Sequence, residues 1–393
     1  MGTERIAAAG PEDVPQDRRT PRPEVRVDRL KVHAFRIPTD GPDGEESDGT
    51  LTWDSTTIVL VLAHAGGRTG LGYTYADVSA ARFVESKLAP VVIDGDALAP
   101  PALSHRMAAQ IRNAGRPGLG MMAVSAVDIA LWDLKARLLD AAVTAVLPVF
   151  HDAVPVYGSG GFTNYPLDRL AAQLAGWVEQ GIPRVKLKTS RDPDEDPARL
   201  SAVREAIGDR PELFTDANGA LTRKQALYWA RRFAEDWDVR WFEEPVSSAD
   251  LESLRLLRDA GPPRLDIAAG EYGYVLRDFT NLLIAEAVDC LQADITRCGG
   301  ITGLPQVAGL AAGHQIDLSG HCAPALSAHA FCCVERLRHL EYFHDHVRIE
   351  DMLFDGVLSP DGGELRPDRS RPGLGLEVKR ADAEPYRVHG GTG

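Results

Sequence analysis

Residues 184–243 hold three short apolar runs, Arg184-Val-Lys-Leu-Lys-Thr-Ser190, Leu213-Phe-Thr-Asp216 and Val239-Arg-Trp-Phe-Glu243. Each is rich in strand-forming residues and ends on or beside a charged side chain. Between them, at 197–207 and 223–234, apolar residues recur three and four apart, as on one face of a helix. The same alternation continues outward. Upstream lie Val154-Pro-Val-Tyr-Gly-Ser-Gly160 and a helical stretch at 167–180. Downstream, a helical stretch at 251–260 is followed by Leu265-Asp-Ile-Ala-Ala-Gly-Glu271, Cys290-Leu-Gln-Ala-Asp294, Ile316-Asp-Leu-Ser-Gly-His321 and His339-Leu-Glu-Tyr-Phe343. From Lys188 through Asp216, Glu243, Glu271, Asp294 and His321 to Glu341 the steps are 28, 27, 28, 23, 27 and 20 residues. That interval accommodates one strand, one helix and two loops, which predicts an α/β fold with a parallel (β/α) barrel over 151–345. Chemistry in such barrels sits at the C-terminal ends of the strands, so these side chains are expected to converge.

The remainder lacks this rhythm. Strands at 26–38 and 56–64 followed by helices at 79–88 and 121–139 predict an α+β domain over 26–150. Residues 1–25 are polar and proline-bearing with no apolar signal-peptide core, and read as a disordered tail. After Tyr342 the chain is loop-rich, with one more candidate strand at 374–379, and 346–393 is expected to return to the first domain. The chain of 393 residues carries 57 acidic against 43 basic residues, a balance that argues against nucleic acid as a partner. No stretch is apolar enough to span a membrane. Five cysteines without CxxC spacing predict reduced thiols and a cytoplasmic setting.

Asp216, Glu243 and Glu271 end three successive strands, and three carboxylates brought together repel unless a cation lies among them. Oxygen ligands without His or Cys favour Mg²⁺ over Zn²⁺. The competing reading is that such acids cap helices or line loops. Lys186 and Lys188 share one face of their strand, where two ammonium groups are expected to depress each other's pKa and free a neutral amine as a base. The alternative for them is a solvated edge strand. Asp294 and His321 have the character of a general acid/base pair, the carboxylate fixing the imidazole's tautomer. Glu341 fits either the site or the core.

Taken in order, Lys186-x-Lys188, Asp216-Ala-Asn-Gly219, Glu243-Glu-Pro245, Ala269-Gly-Glu271, Asp294 with Gly299-Gly300, and His321 resemble the mandelate racemase subgroup of the enolase superfamily over about residues 26–380. The resemblance implies a (β/α)7β TIM-type barrel with an N-terminal capping domain whose loops, 39–53 and 72–77, close over the barrel mouth. It implies Asp216, Glu243 and Glu271 as Mg²⁺ ligands, with Glu243 preferred to Glu244 because the ligand is the acid two before the proline. It further implies Lys188 as one base, His321 with Asp294 as the base on the opposite face, and Lys186 as the neutraliser of the substrate carboxylate. Asn218 would contact a substrate hydroxyl, and Glu341 would donate to the developing enolate. The family's mechanism, a Lys or His base with Mg²⁺ stabilising an ene-diolate, is implied with it. The expected substrate is a small-molecule carboxylate and the expected assembly a homo-oligomer. The leading expectation is dehydration of an acid sugar or related hydroxy acid. A racemase or epimerase of a 2-hydroxy acid is the alternative, and a non-catalytic ligand-binding homologue the remote one.

Overall fold

The computed structural model describes residues 24–391, so the expected tail lies, but for its last two residues, outside the described residues. The first unit is an antiparallel sheet of β1 (Arg29–Pro38), β2 (Ser55–Ala65) and β3 (Arg68–Tyr75), with α1 (Pro100–Gln110) packed on α2 (Leu119–Leu138), which covers the sheet. Strand β3 overlaps a segment the sequence reading treats as loop, because Gly70 and Gly72 interrupt its apolar pattern. Those glycines are where α2 presses onto the sheet. A Cβ on Gly70 would stand 2.2 Å from the Ala130 carbonyl oxygen, and one on Gly72 2.4 Å from that of Ala126. Gly70→Ala is therefore expected to destabilise the protein by about 1–3 kcal/mol through overpacking, read as a lower urea midpoint at unchanged m-value.

Eight parallel strands follow: β4 (Val154–Gly160), β5 (Arg184–Lys188), β6 (Glu212–Asp216), β7 (Val239–Glu243), β8 (Asp266–Ala269), β9 (Cys290–Ala293), β10 (Asp317–Gly320) and β11 (Leu337–Phe343). Neighbours pair in sequence order, and β11 pairs back onto β4 at Leu340↔Val156, closing the barrel. Inside, Tyr157, Phe214, Trp241, Ala268 and Cys290 form a plug of their own. Val185 and Leu187 belong to the core shared with the surrounding helices, while Lys186 lies over the Tyr157 ring. Strand alternation thus delivers both lysines to the barrel interior, where there is no solvated edge.

Beyond β11 the sequence reading expects loop, yet α3 (His344–Leu353) forms there. Its buried face consists of Asp345, His346, Ile349, Glu350 and Leu353, so the helical spacing is present but written mostly in polar residues. Near its end the chain returns to the first sheet, where β12 (Arg387–His389) pairs antiparallel with β1 at Ala34↔His389. No helix among the described residues is long and apolar enough to cross a membrane. All five cysteines are free and buried.

Candidate active site

The strand register sets the geometry. Lys188 pairs with Asp216, and Asp216 with Glu243, across adjacent strands, so their side chains leave the barrel at one level. Glu271 stands beyond β8, which stops at Ala269 rather than running on as the sequence reading has it. Gly270 turns there with φ +135°, and a Cβ on it would come 2.2 Å from the Gln292 carbonyl oxygen. Asp216, Glu243 and Glu271 are all buried, with one carboxylate oxygen from each lying within 4.8 Å of the others.

Lys186 Nζ lies 2.6 Å from Glu243 Oε2, 2.9 Å from Glu341 Oε1 and 3.6 Å from Asp216 Oδ2. Lys188 Nζ donates to Asp216 Oδ2 at 2.5 Å. From the far side, His321 Nδ1 meets Asp294 Oδ2 at 2.7 Å and its Nε2 faces Glu271 Oε2 at 3.2 Å. Asn218 is half-buried, its backbone N–H donates to Asp216 Oδ1 at 2.8 Å, and its side-chain Oδ1 has no hydrogen-bond partner. All nine side chains singled out from the sequence therefore gather at one end of the barrel. Glu244 is buried beside them but outside the carboxylate cluster.

Three contributors escaped the sequence reading. Arg297 Nε lies 3.3 Å from Asp294 Oδ2 and its Nη1 3.5 Å from Glu271 Oε1, tying the imidazole's partner to the carboxylate cluster. Cys322 Sγ stands 3.2 Å from Glu341 Oε2 and 3.3 Å from His321 Nε2. Ser159 Oγ donates to Glu341 Oε1 at 2.6 Å. Arg297 carried a signal, being a cation three residues after Asp294; a serine inside a strand carries none.

Electrostatics correct two expectations. Burial lowers the Lys188 pKa, and Lys186 adds to this, but Asp216 and Glu341 outweigh both and hold it above the ordinary lysine value. The neighbouring ammonium is thus not the dominant influence; the pairing with Asp216 is what keeps the Lys188 amine protonated. Burial raises Glu341, yet Lys186, His321 and Lys188 bring it below the ordinary carboxylate range, so it stands ionised. An ionised Glu341 accepts from the Lys186 ammonium at 2.9 Å and has no proton of its own to donate. Burial drives Glu243 up to about 7 against the pull of Lys186, with Asp216, Glu341 and Glu271 adding to the rise. Burial opposes ionisation of Glu271, but His321, Arg297 and Lys188 prevail and hold it well below the usual range. His321 is raised although burial lowers it, because Cys322, Glu271, Glu341 and the Asp294 hydrogen bond all favour the imidazolium.

This donor set fits a hard divalent cation. All three candidate donors are carboxylates, and Glu243 Oε1 is buried without any hydrogen-bond partner. The loop at 39–53 reaches this end of the barrel, since a Cβ on Gly49 would lie 2.2 Å from the Ala217 carbonyl oxygen.

Residues 169–383 match the family described as enolase C-terminal domain-like, and residues 47–147 match the mandelate racemase / muconate lactonizing enzyme N-terminal domain. The chain belongs to the enolase superfamily, in its mandelate racemase / muconate lactonizing enzyme group. A crystal structure of a mandelate racemase/muconate lactonizing enzyme-like protein from Rubrobacter xylanophilus superposes with a TM-score of 0.90 at 64% identity, covering 92% of this chain and all of that one (100%). The 3,6-anhydro-alpha-L-galactonate cycloisomerase of Streptomyces coelicolor is 31% identical over 361 residues, 90% of this chain and 98% of that protein. The L-talarate dehydratase of Polaromonas sp. JS666, solved in complex with Mg and L-glucarate, has a TM-score of 0.81 at 27% identity, with 93% and 98% of the two chains covered. In this enolase-superfamily chain the carboxylates, lysines and imidazole stand at the barrel end where the superfamily's fold places its chemistry.

Proposed function

We propose that the protein is a Mg²⁺-dependent lyase that abstracts the proton α to a carboxylate and expels water from an acid sugar or related hydroxy acid. The observation that carries this reading is the two-sided site: Lys188 on β5 and the Asp294–His321 pair after β9 and β10 approach one carboxylate cluster from different strands. Mg²⁺ held by Asp216, Glu243 and Glu271 would supply the Lewis acidity that makes so weak a carbon acid reactive. Lys186 places an ammonium donor where negative charge develops on the substrate carboxylate, and Glu341 with Ser159 fixes that ammonium in place. Asn218, with an unpartnered side-chain oxygen, accepts from a substrate hydroxyl. Lys188 removes the α-proton, and the imidazolium of His321 delivers a proton to the departing β-hydroxyl. The product is a keto acid, so incubation with a panel of acid sugars followed by carbonyl derivatisation tests the reading. A keto product that forms with Mg²⁺ and is lost on chelation supports it; no keto product from any member counts against it.

Isomerisation without loss of water is the second reading, with racemisation or epimerisation as its simplest form. The same pair of bases serves it, and the cycloisomerase likeness over 98% of that relative's length favours it. Exchange of the α-proton without a keto product would select it, and absence of both would point to a ligand-binding homologue.

Asp294 is assigned to orienting His321 and not to metal binding. Because the Asp294 hydrogen bond raises the imidazole's pKa, Asp294→Asn should move the limb of the pH–rate profile that reports His321 toward lower pH. Mg²⁺ affinity should stay nearly unchanged, as a calorimetric titration checks.

A further inference from the structure

At the barrel rim, outside the catalytic cluster, acidic side chains from the capping loop meet the start of α3. Asp40 and Glu46 come from the loop, and His344 and Asp345 open the helix. His344 Nε2 lies 3.0 Å from Asp40 Oδ1 and 3.2 Å from Oδ2. One potential ligand atom each from Asp40, Glu46 and His344 falls within 4.8 Å of the others. Glu46 is fully buried, and Tyr165 Oη donates to its Oε1 at 2.9 Å. Its carboxyl also faces those of Asp40 and Asp345. The second oxygen, Glu46 Oε2, is buried with no hydrogen-bond partner, and so is Asp345 Oδ1.

The cations nearby do not answer for Glu46. Arg169 reaches Asp40 at 3.1 Å and Arg348 reaches Asp345 at 3.6 Å, but among the described residues no cationic side chain contacts Glu46. Trp53 Nε1 and Thr56 Oγ1 donate to Asp345 Oδ2, each at 3.3 Å, and leave Glu46 to face other acceptors. Carboxyl groups that face one another in a buried place need a proton or a metal ion between them. We propose that Asp40, Glu46 and His344 form a second divalent-cation site that fastens the capping loop to the end of the eighth barrel strand. One imidazole beside two carboxylates suits Zn²⁺ or Mn²⁺ better than Mg²⁺, which separates this site chemically from the all-carboxylate cluster in the barrel.

The test rests on Glu46→Gln, which reproduces the neutral, hydrogen-bonding form of Glu46 and removes its capacity to ligate as a carboxylate. Full-length wild type, Glu46→Gln and His344→Asn are stripped with chelator, equilibrated with Zn²⁺, separated from free metal and assayed for zinc per chain. Wild type should retain one equivalent more than either variant. Glu46→Gln should melt at the wild-type temperature in chelator, which shows that the loss is of the ion and not of the fold. Wild-type zinc content in either variant overturns the site and leaves a carboxyl pair sharing a proton.

Discussion

Lys188→Ala and His321→Asn are each expected to lower turnover by roughly 10³-fold or more, the scale of a lost general acid or base acting on a proton in flight. The two variants should differ in what they retain. Lys188 is assigned to removal of the α-proton, so its alanine variant loses exchange of that proton with D₂O along with turnover. His321→Asn loses expulsion of the hydroxyl but keeps Lys188, and should still exchange the α-proton when a substrate is bound. A control guards against an indirect effect. Lys188 pairs with Asp216 at 2.5 Å, so its removal frees a carboxylate of the proposed Mg²⁺ site and should leave Mg²⁺ affinity equal or higher, not lower. Near wild-type turnover in both variants would place the chemistry elsewhere.

Glu243→Gln is expected to behave as the chelated protein does. The substitution removes one of three carboxylates and leaves Asp216 and Glu271 as the only charged members of the cluster. Loss of Mg²⁺ affinity should exceed the roughly 10–100-fold that changes to a ligand's outer partners cost, and turnover should fall with it. Lys186 keeps Glu341 as a partner at 2.9 Å, so the fold should survive and unfolding should stay cooperative. Titration of Mg²⁺ by calorimetry, with unfolding followed alongside, separates a lost ligand from a lost structure. Unchanged Mg²⁺ affinity in Glu243→Gln would remove it from the ligand set.

Much of this site was legible in sequence because a parallel barrel converts a linear interval into a ring. Once Lys188, Asp216, Glu243 and the others recur at strand ends, topology alone brings them together. What was not legible depends on contacts across the chain. Strand β3 was hidden by Gly70 and Gly72, whose reason is the helix lying on them. Helix α3 was hidden because its inward face carries Asp345, His346 and Glu350 where an apolar stripe is the usual signal. Ser159 became visible only through the β4–β11 pairing that closes the barrel. The protonation states could not be read from spacing at all. The Lys186-x-Lys188 pattern predicts mutual depression, whereas the acids opposite each lysine decide the sign.

The barrel end is proposed to remove a proton α to a carboxylate with the help of a divalent cation. The most direct measurement is ¹H NMR of an acid-sugar panel in D₂O with the Mg²⁺-loaded protein, repeated in excess chelator. For at least one panel member the α-proton signal should be lost or the substrate should convert to a keto acid, and neither should happen once the metal is removed. Exchange or conversion at an undiminished rate in chelator, or none with any panel member in Mg²⁺, would contradict the proposal.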